Sequence, residues 1–284
     1  MAGGAVTTRF APSPTGPLHL GHAFAALTAA QLADPGQFLV RIEDIDRSRC
    51  RPEWEAAIFD DLRWLGLDWQ TPVMRQSDRL PAYAAALDRL ARMGLLYPCR
   101  CRRADIAAAL SAPQEGAVGP DGPVYPGTCR GRPMGDAAQG DAIRLDMGAA
   151  LRLLGLDEIG FDETSRAERP HMTAGQIVGG IGDVVLSRRG MGTSYHLSVV
   201  VDDAAQGITL VTRGEDLFDS SCIHAVLQML LDLPQPRYLH HRLIRDDAGK
   251  RLAKRDDARA IGLYRAEGAS PDDIRRMVGL LPPA

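Results

Sequence analysis

The stretch RFAPSPTGPLHLGH, residues Arg9 to His22, sets three prolines, two glycines and two histidines between a strand-like segment and a helix-like one. Upstream, TTRFA (Thr7 to Ala11) is a short strand candidate. Downstream, LHLGHAFAALTAAQLA carries apolar residues at helical spacing. A loop so placed, between the first strand and first helix of an α/β sheet, lies where such folds bind ligands. Pro12, Pro14 and Pro17 fix its path, and Gly16 permits a tight turn or close ligand approach. His19 and His22 stand three apart, so both imidazoles share one face of the first helical turn, beside its unpaired N–H groups and positive dipole end. Gly21 between them leaves room for a flat ring against the backbone. The arrangement suits a nucleotide, with phosphates near the histidines; the plainer alternative is a proline-rich loop with two surface histidines.

The pattern continues outward. GQFLVRIEDID reads as a second strand, buried through Phe38, Leu39 and Val40 and ending in charge. PEWEAAIFDDLRWLGL and SDRLPAYAAALDRLARMG read as amphipathic helices, the second capped by Ser77 or Asp78 and stopped at Gly94. Strand, helix, strand, helix predicts a doubly wound parallel sheet with helices on its faces. From Leu96 to about Asp141 the chain turns irregular, and SAPQEGAVGPDGPVYPGTCRGRPMG is rich in Gly and Pro. Such a segment cannot build its own core and needs a staple or a neighbour. DAIRLDM, DVVLSRR, SYHLSVVVDD and GITLVTRGED then read as strands, SCIHAVLQMLLDL as a helix, and the tail from Ala260 as short helices.

Composition narrows the classes. A net charge of −3 argues against a uniformly basic nucleic-acid coat, while 33 Lys and Arg leave room for a local basic patch. The opening MAGGAVTTRF lacks a basic region followed by an apolar core, and no apolar run approaches the ~18–20 residues of a membrane span. Five cysteines, an odd number without secretory context, read as free or metal-binding thiols of a cytoplasmic chain. Cys99, Cys101 and Cys129 fall in the irregular segment and suggest a structural zinc knuckle; no fourth cysteine or histidine lies there.

RFAPSPTGPLHLGH resembles the signature loop of glutamyl-type class I aminoacyl-tRNA synthetases, with HLGH as the HIGH tetrapeptide. RIEDIDRSR (Arg41 to Arg49) is similar to their second strand, YHLSVVVDDAAQGITLVTRGEDLFDSS to a later block, and GKRLAKRD to the KMSKS loop. The resemblance implies a Rossmann-type catalytic domain in two halves, 1–96 and 142–284, with an inserted zinc-binding segment at 97–141. It assigns Arg9, Ala11, Ser13, Glu43, Tyr195 and Arg213 to L-glutamate, and His19, Gly21, His22 and Lys254 to ATP. Of these, His19, His22 and Lys254 are catalytic, and magnesium accompanies ATP. The KMSKS-type loop departs from pattern, with Arg251 for the first lysine and Ala253 for the serine.

Two further features resemble the glutamyl-queuosine tRNA(Asp) synthetases, trimmed relatives of the glutamyl enzymes. Their zinc pattern, Cys-x-Cys then Tyr-x3-Cys, falls on Cys99, Cys101, Tyr125 and Cys129, implying one structural zinc per chain. Only Arg255 to Ala284 follow Lys254, where a full glutamyl enzyme continues into an anticodon-binding domain. The implied activity is tRNA-independent activation of glutamate by ATP and transfer to queuosine in the tRNA(Asp) anticodon, by a cytoplasmic monomer without membrane attachment. Arg102, Arg103, Arg130, Arg132, Arg188 and Arg189 are candidate phosphate contacts. The alternatives are a shortened glutamyl-tRNA synthetase charging the 3′ end of tRNA(Glu), a nucleotidyltransferase with another small acceptor, and a non-catalytic tRNA- or zinc-binding module.

Overall fold

The computed structural model describes residues 5–110, 118–245 and 259–280. In chain order the elements are β1 (Thr7–Phe10), α1 (Leu20–Ala33), β2 (Gln37–Ile42), α2 (Pro52–Trp64), β3 (Met74–Arg75), α3 (Leu80–Arg92), β4 (Leu96–Cys99) and α4 (Arg103–Leu110). They continue with β5 (Val118–Gly119), β6 (Gly122–Pro123), β7 (Ala142–Leu145), α5 (Met147–Leu154), β8 (Glu158–Gly160), β9 (His171–Thr173), α6 (Ala174–Gly180) and β10 (Val185–Ser187). The last are α7 (Tyr195–Ala205), β11 (Leu210–Gly214), α8 (Ser220–Leu230), β12 (Arg237–His241), α9 (Ile261–Ala266) and α10 (Pro271–Met277). The chain divides into two compact units: residues 1–78, 207–216 and 238–284 form the first, and 79–206 with 217–237 the second.

In the first unit β1, β2 and β3 pair in parallel, with Arg9 opposite Leu39 and Phe10 opposite Val40. α1 is the crossover, and its alanines 23, 26, 29 and 33 are buried, letting the helix lie close on the sheet. Thr8 Oγ1 donates to the Ala29 carbonyl at 2.7 Å, tying strand to helix. The return into β2 passes Gly36, where a side chain would overlap the Val6 carbonyl. α2 follows the rules for termini, with Pro52 at its first turn, Glu53 and Glu55 beside it, and Arg63 in the last turn. Phe10, Leu27, Val40, Ile42, Ile58 and Leu62 form the heart of the core, closed by Ile261 and Ile274 of α9 and α10. β11 runs against β1, the Thr209 N–H donating to the Thr7 carbonyl at 3.0 Å, and pairs with β12.

In the second unit DAIRLDM and DVVLSRR supply the strands β7 and β10 but do not extend a parallel sheet, and Leu96–Cys99, expected to be irregular, is the strand β4. β4, β7 and β10 form an antiparallel sheet with β7 at its centre, Leu96 facing Leu145 and Cys99 facing Ala142. Two more expectations need correction. α3 is capped at Arg79 without a side-chain bond: Gln76–Asp78 form a 3-10 turn, and the Ser77 N–H is taken by Asp44 Oδ1 at 2.8 Å. Gly94 does end α3, at φ 72°. SYHLSVVVDD is the helix α7, not a strand. Its β-branched run packs at a site buried on most sides, from His196 to Val200 and again at Asp202 and Asp203, so the helix is central and buries polar as well as apolar side chains. Asp202, wholly buried, accepts from Tyr83 Oη at 2.6 Å and from Arg79 Nε at 3.2 Å, which places it on a helix face toward α3.

Candidate active site

The proline-rich loop is held by the backbone around it. Pro12 and Pro14 carbonyls accept from the N–H groups of Glu43 and Arg51, each at 3.0 Å, and the Thr15 N–H donates to the Ser13 carbonyl at 2.9 Å. At its end His19 caps α1. His19 Nδ1 accepts from the Gly21 N–H, and the His19 N–H donates to His22 Nδ1, both at 3.1 Å. This reciprocal capping box brings the ring centroids to 3.8 Å. With both Nδ1 atoms accepting, the proton of each neutral ring is assigned to Nε2. The ring lying against Gly21 is that of His19: a Cβ at Gly21 would stand 3.0 Å from His19 Cε1 and 3.1 Å from Nδ1. Gly21→Ala is therefore expected to leave stability nearly unchanged, since alanine gains ~0.5–1 kcal/mol of helix preference against the strained cap. Displacing the His19 ring should raise KM for ATP about tenfold. Thermal melting and ATP titrations of pyrophosphate exchange check the two halves.

The C-terminal ends of β1, β2 and β11 gather opposite charges. Arg9, buried, donates from Nη1 to the Thr212 carbonyl at 3.1 Å. Arg41 is wholly buried, and its Nη2 donates to Glu43 Oε1 at 3.2 Å. Glu43 follows β2 directly, its backbone joined to Pro12, while Ala11 and Ser13 are half-buried in the neighbouring loop. Arg213, also buried, donates from Nε to His240 Nε2 at 3.1 Å, its guanidinium 5.2 Å from the Tyr238 ring centroid. Three guanidiniums and one carboxylate therefore lie at one edge, with Arg41 paired to Glu43. Tyr195 belongs to the second unit as the first residue of α7, its ring 5.5 Å from that of His196 and 5.7 Å from that of His224. Lys254, with Arg251 and Ala253, lies outside the described residues. The chain beyond them returns beside the histidine loop: Ala260 forms a β-bridge with His19, and the Ile261 N–H donates to the Leu18 carbonyl at 2.8 Å.

In the second unit Cys99, Cys101 and Cys129 converge, all Sγ atoms within 4.8 Å of one another. Tyr125 Oη lies 3.4 Å from Cys99 Sγ and 3.5 Å from Cys101 Sγ, and it accepts the Cys129 N–H at 2.8 Å. Zinc bonds of about 2.3 Å to sulfur and about 2.0 Å to oxygen imply tetrahedral S···O edges of about 3.5 Å, so this donor set fits zinc. Burial alone would raise the Cys129 thiol, but hydrogen bonds from Tyr125 and the Arg100 N–H bring it down to about 7, toward the thiolate that metals take.

Of the six arginines expected at phosphates, three make contacts within the fold. Arg130 pairs with buried Asp183 at 2.8 Å, and Arg132 ties together Pro98, Asp141 and Asp136. Arg189 donates to the Arg100 and Cys101 carbonyls, while Arg102, Arg103 and Arg188 are exposed. Sequence reasoning overlooked Arg41 and His240. The first left a signal: an arginine inside an apolar strand run needs a carboxylate, and Glu43 stands two residues on, on the same strand face. His240 left none, because its pairing with Arg213 depends on strand register.

The sequence matches the family described as tRNA synthetases class I (E and Q), catalytic domain, over residues 5–282. It is 63% identical over 281 residues to the glutamyl-Q tRNA(Asp) synthetase of Rhodobacter capsulatus, covering 96% of this chain and 99% of that one. The protein of the same name from Nocardia farcinica is 43% identical over 274 residues, with 94% and 81% covered. Among solved structures, the glutamate-tRNA synthetase of Elizabethkingia anophelis superposes with a TM-score of 0.74 at 24% identity, over 97% of this chain but 61% of its own. Methionyl-tRNA synthetase of Mycobacterium tuberculosis superposes at 0.57 and 12% identity, over 96% of this chain and 63% of its own. These two likenesses concern the fold.

Proposed function

The chain belongs to the class I tRNA synthetases of the glutamyl and glutaminyl type, and from that membership we propose that it is a glutamyl-queuosine tRNA(Asp) synthetase. It activates L-glutamate with ATP, without needing tRNA, and transfers the glutamyl group to queuosine in the anticodon of tRNA(Asp). The observation that carries this reading is the end-to-end match to the Rhodobacter protein of that name. No described helix is long and apolar enough to cross a membrane, and we place the protein in the cytoplasm as a monomer.

The residues divide the work. The Arg9 guanidinium holds the side-chain carboxylate, and Ala11 and Ser13 line its path. Glu43, braced by Arg41, receives the α-ammonium. Arg213 and Tyr195 are assigned further contacts with glutamate, and Gly21 lets the His19 ring seat close to the helix start. His19 and His22, each presenting an Nε2–H, bind the ATP phosphates. A glutamate α-carboxylate oxygen then attacks the α-phosphorus in line, the bond to pyrophosphate breaks, and Lys254 balances the charge that builds on the phosphates. Magnesium travelling with ATP supplies further neutralisation. In the second step a queuosine hydroxyl attacks the adenylate carbonyl carbon, forming an ester, losing its proton and expelling AMP. Residues 97–141 act as an inserted zinc-binding segment between 1–96 and 142–284, with Cys99, Cys101, Tyr125 and Cys129 holding one structural zinc.

The deciding assay incubates the protein with ATP and radiolabelled glutamate and offers tRNA(Asp) with queuosine, tRNA(Asp) without it, and tRNA(Glu). Label is expected on the first alone. Label on tRNA(Glu) would replace this reading with 3′-end charging, and absence of glutamate-dependent pyrophosphate exchange would remove the enzyme readings altogether.

A further inference from the structure

The second unit contains a cleft of about 860 Å³ whose wall includes Tyr195, His196, Asp121, Arg144 and Arg188. That volume is in the range of a drug-sized or nucleoside-sized ligand and several times what one amino acid fills. Its wall carries a built polar chain. Asp121 sits at the turn between β5 and β6, and its Oδ2 lies 2.9 Å from His196 Nε2. His196 Nδ1 lies 3.1 Å from His224 Nε2, and both imidazoles are buried. One set of tautomers satisfies the chain: His224 donates to His196, and His196 donates to Asp121. Asp121 Oδ1, on a half-exposed side chain, makes no hydrogen bond among the described residues. Burial would raise this carboxyl, but the bond from His196 and the nearby Arg188 and Arg144 hold it below its ordinary range, so it is an anion at neutral pH.

Two residues of the lining carry buried polar atoms. Ser194 Oγ and Arg144 Nε are buried and have no hydrogen-bond partner among the described residues, though Ser194 and Arg144 are 2% and 9% exposed. At the mouth, Arg188 is exposed and forms no ion pair among the described residues, and Arg103 stands on the same rim. An anionic acceptor backed by a fixed histidine, with Arg103 and Arg188 in the same lining, complements a neutral polyol that hangs from a phosphate backbone.

We infer that this cleft is the acceptor site, in which Asp121 accepts hydrogen bonds from a vicinal diol of the nucleoside and Arg188 contacts a flanking phosphate. The inference rests on the function proposed above; Tyr195, assigned there to glutamate, is one of the wall residues. A vicinal diol occurs both on the cyclopentene ring of queuosine and on the 3′-terminal ribose of any tRNA, so the test separates the two.

Binding of the full chain is measured with three RNAs: the tRNA(Asp) anticodon stem-loop with queuosine, the same with guanosine there, and a minihelix ending in a free 3′ ribose. The wild type is expected to prefer the queuosine RNA. Asp121→Asn should cut that preference at least about tenfold, because the lost hydrogen bonds are to a charged group. Arg188→Ala should weaken both stem-loops equally and lower the slope of log affinity against log salt by about 0.7. Because Arg188 is exposed, its variant keeps the test open should Asp121→Asn unfold, which thermal melting reports. Full preference retained in a folded Asp121→Asn, or an unchanged salt slope in Arg188→Ala, overturns the assignment. A wild type that binds only the minihelix, and loses it on Asp121→Asn, overturns the acceptor proposed above yet supports the cleft as a diol site.

Discussion

Replacing Arg213 with leucine lowers kcat/KM for glutamate in ATP–pyrophosphate exchange by roughly three orders of magnitude, because a bidentate pair of charge-assisted hydrogen bonds is worth about 3–5 kcal/mol. The size of the effect follows from the setting. Arg213 is buried near the end of β11, with Nε committed to His240 and its plane toward Tyr238, so the guanidinium is oriented before any ligand arrives. Pre-orientation of that kind removes the entropy a free arginine would lose on binding. Arg213→Lys is expected to recover only part of the loss, leaving it about a hundredfold below wild type. An ammonium has no fork for the carboxylate and cannot keep the His240 bond and the binding edge at once. Both losses should fall mainly on KM for glutamate, because the proposed contact would hold substrate and transition state alike. A Leu variant with an unchanged KM would remove Arg213 from the pocket.

The proposed pocket residues came from the family resemblance, and the structure adds where each of them lies. Arg9, Glu43 and Arg213 were assigned by matching the family's motifs, and they lie at or just beyond the ends of β1, β2 and β11. The partners of those residues were less visible. Arg41 could be inferred from strand periodicity, but His240 reaches Arg213 only through the pairing of β11 with β12, a register that no local pattern carries. The His196–Asp121 link was out of reach for a similar reason. It joins a helix to a hairpin turn 75 residues away, in a segment whose composition promised only irregular structure.

For the fold, periodicity succeeded where one face is buried and failed where nearly everything is. α3 shows its amphipathic stripe, with Tyr83 and Leu90 inside, and its helical reading stands. α7 has Val199 and Val200 beside buried Ser198, Asp202 and Asp203, so neither a period of two nor of 3.6 dominates. Three consecutive valines then tipped the reading to strand, and packing reversed it. The antiparallel arrangement of β4, β7 and β10 was hidden likewise. Short apolar runs state that a strand exists, not which way its neighbour points.

The thiol cluster yields the second large effect. Cys129→Ser is expected to reduce bound zinc from one per chain to nearly none and to lower Tm by about 8–16 °C. Losing a structural metal belongs with the rare substitutions costing about 4 kcal/mol or more, and each kcal/mol moves Tm by about 2–4 °C at this size. Among the described residues the segment is otherwise held by polar ties such as Arg130 to Asp183 and Arg132 to Asp141, and by the pairing of β4 with β7. Around the thiols the buried cluster comprises Tyr97, Cys99, Tyr125 and Cys129, with Cys101 and Ile106 packed against it. Tyr125→Phe gives the sharper contrast. Its Oη accepts the Cys129 N–H, so removing it strands a buried donor at a cost of about 1–3 kcal/mol whether or not metal is bound. If Tyr125 is also a ligand, the variant additionally loses zinc affinity, and a chelator should unfold it at concentrations that leave the wild type intact. Equal chelator resistance in the two would reduce Tyr125 to a brace for the Cys129 loop. A Cys129→Ser protein with unaltered metal content would mean that no zinc is held by Cys99, Cys101 and Cys129.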